Sequence, residues 1–224
     1  MKKLSLVLAA GAAVALITAM PVAAANTLTV GAGSALGGTN FGLSINVDAG
    51  AGITNPVFVQ SDHPTDETHL LLRFRLRVDG LLAPASGAGR NFRLLNVVDD
   101  SAPGTPHKVI FLQRQVTTGN WRLVGWTYTN AAAYEPAGAF FLANFGGALD
   151  RQVECEWTQA TAGANGIFGC FRTDSPATQF FLRSNISDSN FQGDQVQVGF
   201  FDFDGFPGTA AASQLDFDEY ESYR

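Results

Sequence analysis

The 224-residue chain carries 14 Lys and Arg against 20 Asp and Glu, a net charge of −6. An acidic chain without clustered basic residues is a poor partner for nucleic acid or anionic lipid, because phosphate binding needs grouped Lys or Arg. The length suits one domain with a sizeable core once an N-terminal leader is set aside.

That leader is Met1 to Ala25. Lys2 and Lys3 form a positive end, Leu4 to Ala19 an apolar stretch, and Ala23 to Ala25 a small-residue cleavage site. The shortness of the apolar stretch, and Pro21 before the small residues, favour cleavage over a retained membrane anchor. The mature chain then spans residues 26–224 as a single domain. It has 12 basic and 20 acidic residues, a net of −8, and Lys108 is its only lysine. No later apolar run reaches about 18 residues, so no membrane span is expected after removal of the signal. The expected location is the periplasm or the outside of a bacterial cell. The Asn185-Ile-Ser187 sequon matters only in a glycosylating host.

From Thr27 onward the pattern is one of strands. Thr27 to Val30 is short and apolar, Gly31 to Gly38 reads as a loop, and Phe41 to Val47 alternates at period two. Val57 to Val59 begins another strand, and Ser61 to Asp66 reads as a polar turn. Glu67 to Val78 is the longest alternating run, with Arg73, Arg75 and Arg77 on one face and Leu72, Phe74, Leu76 and Val78 on the other. A helix would space its apolar residues three and four apart. Leu81 to Gly89 is a loop. Phe92 to Val98, Lys108 to Val116, Trp121 to Thr129 and Ala139 to Phe145 follow as strands, with the tightest turn at Thr118-Gly-Asn120. Gln179 to Leu182, Gln195 to Phe203 and Leu215 to Tyr223 close the chain. About a dozen strands at 8–15-residue spacing, with no convincing helix, predict an antiparallel sandwich or barrel.

Gln152 to Arg172 predicts a hairpin. Val153, Cys155 and Trp157 alternate with Glu154 and Glu156, Ala160 to Gly166 turns the chain, and Ile167 to Arg172 returns. If Cys155 faces Cys170, Trp157 faces Phe168. Opposed strand residues have Cβ atoms roughly 4.5–5.5 Å apart, close to what a disulfide needs. Two cysteines in an exported chain favour one structural disulfide. The alternative is a pair of buried thiols.

Three stretches carry a family resemblance. Val57-Phe-Val-Gln-Ser-Asp-His-Pro-Thr-Asp-Glu-Thr68, running into Leu72-Arg-Phe74, resembles the opening of bacterial exported jelly-roll proteins. The hairpin resembles their Glu-x-x-Trp strand with its returning partner. Phe217-Asp-Glu-Tyr-Glu-Ser222 with Arg224 resembles their closing strand. The order and spacing agree over residues 40–224. This resemblance, to LamG-like, concanavalin A-like jelly rolls, implies two large antiparallel sheets and about a dozen strands. It implies no activity. Cys155 and Cys170 stand where that family has aliphatic core residues, and a disulfide is a physically sensible replacement for an apolar cross-strand pair.

Four groups of residues are candidates for chemistry. Asp216-Phe-Asp218-Glu-Tyr-Glu221 has the spacing of the Glu-x-Asp-x-x-Glu strand in laminarinase-like glucanases. There the carboxylates share a face, one as nucleophile and one as acid/base. Asp216 replaces the nucleophilic Glu, and the stretch closes the chain, so no catalytic residue is assigned. Oxygen ligands for a structural calcium are available at Asp62, Asp66, Glu67, Asp202, Asp204, Asp216 and Asp218, with Asp62, Glu67, Asp202, Asp204 and Asp218 the leading set. Trp126 and Tyr128, together with Val124, form a second apolar face on their strand. They are candidates to stack flat sugar rings, with Arg73 and Arg75 as hydroxyl donors if they share that sheet. The alternative for this face is a second core layer. His63, His69 and His107 lack metal-ligand spacing, and neither a Gly-x-Ser-x-Gly elbow nor a phosphate-binding glycine loop is present.

The leading expectation is therefore an exported, non-catalytic jelly roll that binds carbohydrate or a cell-surface polymer. A structural or adhesive protein that self-associates through apolar strand faces is the alternative. A glycan-cleaving enzyme of laminarinase-like type ranks third.

Overall fold

Strict alternation from Leu70 to Val78 makes a strand with two unlike faces. Leu70, Leu72, Phe74, Leu76 and Val78 are at most 2% exposed, while Arg73, Arg75 and Arg77 are half-buried. The same rule, applied along the chain, produces an all-β molecule. In a computed structural model the described residues are 26–47, 56–78, 90–99, 101, 105–114, 121–141, 150–173, 180–201, 203–204 and 213–223. The expected leader, residues 1–25, and the loop expected at 81–89 lie outside them. Among the described residues no helix is long and apolar enough to cross a membrane.

The strands in chain order are β1 (Thr27–Gly31), β2 (Gly42–Val47), β3 (Val57–Glu67), β4 (His69–Arg77), β5 (Arg90–Val98), β6 (Lys108–Arg114), β7 (Trp121–Thr129), β8 (Ala133–Phe141), β9 (Asp150–Thr158), β10 (Gly166–Arg172), β11 (Phe180–Ile186), β12 (Gly193–Phe200), β13 (Phe203–Asp204) and β14 (Ser213–Tyr223). They form two seven-stranded sheets, and every pairing is antiparallel. The first runs β1-β2-β14-β4-β9-β10-β11. The second runs β3-β12-β5-β6-β7-β8, with β13 also pairing β5. The chain crosses from the second sheet to the first at Thr68, the single residue between β3 and β4. This is the two-sheet jelly-roll sandwich that the sequence predicts.

The inner faces supply one core. Phe74, Trp157, Phe168 and Phe217 from the first sheet meet Phe92, Leu112, Trp121 and Phe200 from the second. Each side chain of this size stabilises the fold by roughly 1.5–3 kcal/mol on burial. Cys155 and Cys170 are opposed in the β9–β10 register and form a disulfide, with Cα atoms 4.0 Å apart. Both are buried in the core, and Trp157 pairs with Phe168 as the hairpin requires. At the far edge β7 and β8 have glycine at the inward positions Gly125 and Gly138. A Cβ there would lie 2.4 and 2.7 Å from Phe181 of β11, so glycine allows the two sheets to approach closely.

Two local expectations are corrected. Ser61 to Asp66 is part of β3, because Ser61 and Asp62 pair with Val196 and Gln195 of β12. A partner strand here overrides a turn-like composition. β8 begins at Ala133, not Ala139, because a tight turn at 130–132 lets Trp126 pair with Pro136. Pro is tolerated there since β8 is an edge strand.

Candidate functional site

The outward residues of the second sheet line up across its strands. Gln60 of β3 pairs with Gln197 of β12, Gln197 with Asn96 of β5, Asn96 with Val109 of β6, Val109 with Trp126 of β7, and Trp126 with Pro136 of β8. One row perpendicular to the strands therefore crosses six strands. One half is carboxamide and the other is apolar. Its ends, Gln60 and Pro136, are exposed, whereas Asn96 and Val109 at its centre are each 2% exposed. The row is deepest at its centre.

Two recesses lie along it and share Arg93. One, of about 280 Å³, is lined by Arg93, Val109, Phe111, Trp126 and Tyr134. The other, of about 200 Å³, is lined by residues that include Phe58, Asn96, Pro106, Gln197 and Phe201. Tyr128 sits beside the first recess in an aromatic cluster, its ring 4.8 Å from Tyr134 and 5.5 Å from Phe191. The Tyr134 hydroxyl donates to the Pro106 carbonyl at 2.7 Å, which fixes the wall. The Arg93 guanidinium stacks over Phe201 at 5.5 Å.

The carboxamides are joined in one direction. Asn96 Nδ2 donates to Gln197 Oε1 at 3.2 Å, Gln197 Nε2 to Gln60 Oε1 at 3.0 Å, and Gln60 Nε2 to Asp62 Oδ1 at 2.7 Å. Asn96 Oδ1 is buried and has no hydrogen-bond partner among the described residues. Each amide is thereby held in one orientation while keeping some donor and acceptor capacity.

Arg73 and Arg75 lie elsewhere. They belong to β4, in the first sheet, so they point away from Trp126 on the opposite outer face of the sandwich. The crossing at Thr68 separates the two sets. The arginines are also engaged. Arg73 donates to Glu154 at 2.6 Å and has Glu221 at 3.6 Å, and hydrogen bonding to Glu154 holds its guanidinium above the ordinary value. Arg75 pairs with Asp150 at 2.8 Å and Glu219 at 3.0 Å. Arg77 donates to Asp216 at 2.9 Å. The arginine stripe is thus neutralised by acids on β9 and β14.

Asp216, Asp218 and Glu221 of the closing strand are part of this lattice, as is Glu219. A bulge between Asp218 and Glu221, with Glu219 at φ 48°, lets Glu221 pair with Arg73. Strict alternation would send Glu221 to the opposite face from Asp216. Asp216 is 3% exposed and bound by Arg77. Asp218 accepts the Leu36 amide at 2.6 Å and the Thr39 hydroxyl, pinning the β1–β2 loop. Glu221 accepts the Tyr223 hydroxyl at 2.6 Å.

The described members of the proposed calcium set are divided between the two sheets. Asp62 and Glu67 are on β3 in the second sheet and Asp218 is on β14 in the first. Asp202 lies outside the described residues, and Asp204 is described only as a residue of β13. Among the described residues no group of three acids or histidines can hold a metal.

One cluster had no counterpart in the sequence reading. Lys108 is fully buried, with Nζ 2.8 Å from Asp188 Oδ2 and 5.0 Å from the Trp157 ring. Asp188 also accepts Trp157 Nε1 at 2.9 Å and the Ala160 amide at 2.8 Å. Burial pushes the ammonium down to about 8, against the pull of Asp188. Burial, and then the Lys108 charge, hold the adjacent His107 well below the usual imidazole range. The cluster has no exposed atoms to offer a ligand and acts as a pin within the core. Asn96, Gln197 and Gln60 were missed because isolated amides carry no motif. The one available signal was Gln195-Val-Gln197-Val198, where amides occupy the outward positions instead of charges.

No family model matches the chain, and no curated protein matches it in sequence. Solved structures resemble it in fold. They include a protein named "Cellulose induced protein, Cip1", with 11% identity over 89% of this chain and 86% of that one and a TM-score of 0.53. An alginate lyase from Klebsiella pneumoniae has 8% identity over 81% of each chain and a TM-score of 0.52. An alginate lyase from Pseudomonas aeruginosa has 14% identity over 81% and 82% and a TM-score of 0.50. At these identities the likeness is one of jelly-roll fold.

Proposed function

We propose that this chain is an exported, non-catalytic jelly-roll protein that binds polysaccharide on the outer face of its second sheet. The observation that carries this reading is the in-register row from Gln60 to Pro136, which sets an indole and aliphatic groups beside an oriented ladder of amides. Sugar rings have apolar faces and hydroxyl edges, and such a surface is complementary to both. Carboxamides and an indole do not exchange protons at neutral pH, which favours binding over cleavage. The leader pattern of residues 1–25 and a disulfide suited to an oxidising compartment support export to the periplasm or beyond. The two-sheet fold agrees with the LamG-like kinship suggested by the opening, hairpin and closing segments.

The test is a glycan array probed with the mature protein, with and without EDTA. Binding that survives EDTA and is lost in Trp126→Ala, with an unchanged circular dichroism spectrum, supports the reading. No binding to any glycan overturns it. A second reading, self-association, draws on Val30 and Phe41, which are 69% and 65% exposed near the edge strand β1. Sedimentation velocity over a concentration series distinguishes it by the appearance of dimers or larger species.

A further inference from the structure

We propose that the ligand is a single chain of a neutral, hydroxyl-rich polysaccharide laid across the strands. Its ring faces rest on the Trp126–Val109 half of the row, and its hydroxyl edges on the Asn96–Gln197–Gln60 amides. This rests on the carbohydrate reading and adds the direction, form and charge of the ligand.

Direction follows from register. Six in-register residues on six neighbouring strands span five inter-strand steps, roughly 24 Å at the usual spacing. That length suits an extended oligosaccharide and far exceeds one sugar ring. Form follows from depth. Asn96 and Val109 are nearly closed off at the centre, while Gln60 and Pro136 are exposed at the ends. A row that sinks into recesses at its centre suits a single chain that can follow it, whereas a crystalline surface needs a flat, exposed platform.

Charge and hydrogen-bond capacity follow from the ladder. Gln197 and Gln60 each use one N–H and one oxygen lone pair in the ladder, and each keeps one of both. A sugar hydroxyl is also one donor and an acceptor, so it matches what remains. Asn96, which lines the second recess, adds a buried Oδ1 acceptor that has no partner among the described residues. A polar group left unmatched in a buried site is what rejects a ligand lacking the complementary hydroxyl. The row itself carries no charge, and Asp62 closes its amide end. A uronate chain would set its repeating carboxylates over amides and beside that acid. Of the cations beside the row, Arg93 is stacked on Phe201 at one flank, and Arg183 donates to the Pro136 carbonyl at 2.6 Å and is paired with Glu135.

The experiment is affinity electrophoresis of the mature protein through soluble neutral glycans (mixed-linkage β-glucan, xyloglucan, galactomannan) and anionic ones (alginate, polygalacturonate), at low and high salt. A pull-down on microcrystalline cellulose accompanies it. The expected result is retardation by a neutral glycan that is unchanged by salt, and weakening on the order of tenfold in Gln60→Ala and Gln197→Ala, equivalent to about 1.4 kcal/mol each. Gln60 is exposed, so its variant tests the ladder without threatening the core. Salt-sensitive binding to the anionic glycans alone overturns the neutral-ligand inference and leaves the carbohydrate reading standing. Retention on cellulose without binding of soluble chains overturns the single-chain form. Neutral binding indifferent to both Gln variants overturns the ladder. Failure to bind any glycan overturns this inference and the carbohydrate reading together.

Discussion

Lys108 Nζ lies 2.8 Å from Asp188 Oδ2 with both side chains fully buried, so the only lysine after Lys3 is in an internal ion pair. Asp188 also holds Trp157 and the turn at Ala160, so the pair ties the β6 entry to the β9–β10 hairpin. Removing one partner leaves an uncompensated buried charge. Lys108→Met is expected to lower stability by about 3–5 kcal/mol, read from urea denaturation. The same burial predicts that an amine-reactive reagent labels native protein spanning residues 26–224 at its N-terminus and reaches Lys108 only after unfolding.

The pair and His107 together set a pH dependence. His107 keeps its proton affinity in the unfolded chain and loses it in the folded one, so the unfolded state binds more protons below pH ~6.5. Stability then falls as pH drops below that value, by up to about 1.4 kcal/mol per pH unit from this residue. Lys108 has a folded value of about 8 against 10.5 in the free side chain. Between those values the folded state has released a proton that the unfolded state retains, so stability rises with pH across that window. Urea titrations from pH 5 to 7 on wild type and His107→Asn provide the check, with the slope flattened in the variant.

The disulfide closes a sequence separation of 15 residues. Its loss in a Cys155→Ala, Cys170→Ala double variant should lower stability by about 3 kcal/mol and leave glycan binding on the other sheet unchanged. Mass spectrometry of oxidised protein should find the chain two hydrogens lighter than its reduced form. Free thiols at both positions would refute the bond.

Gly125 and Phe181 form a size-matched pair across the sandwich. A Cβ at Gly125 would lie 2.4 Å from the Phe181 ring, so Gly125→Ala is expected to destabilise by about 1–3 kcal/mol through overpacking. Adding Phe181→Leu should recover part of that loss, giving a non-zero coupling in a double-mutant cycle. Strict additivity would show that the two do not touch.

Arg75 offers a control for the face assignment. Arg75→Gln breaks its bonds to Asp150 and Glu219 and should cost on the order of 1 kcal/mol in stability. Its glycan binding should equal wild type. A loss there would place the ligand on the first sheet.

Much of this fold was legible because period-two alternation is a local property. Trp121–Thr129 is found at its predicted bounds, and Cys155 opposite Cys170 follows once the hairpin is recognised. That Trp126 and Tyr128 share one face of their strand was equally legible, but not that this face is the outer one, because both faces of the strand are apolar. Strand membership was not legible either. Arg73 and Trp126 both lie on well-formed alternating strands, yet Thr68 sends β4 to the sheet that does not contain β7.

Residue order by itself thus determined which side chains of each strand share a face, because consecutive Cβ atoms must point to opposite sides of an extended chain. Only the tertiary structure decided which strands are neighbours. That brought Gln60, Asn96 and Gln197, far apart in sequence, into one hydrogen-bonded ladder. It also enclosed Lys108 against Asp188. Both outcomes depend on long-range strand pairing, where the energy of many core contacts across two sheets selects one register over the local preferences of any single segment.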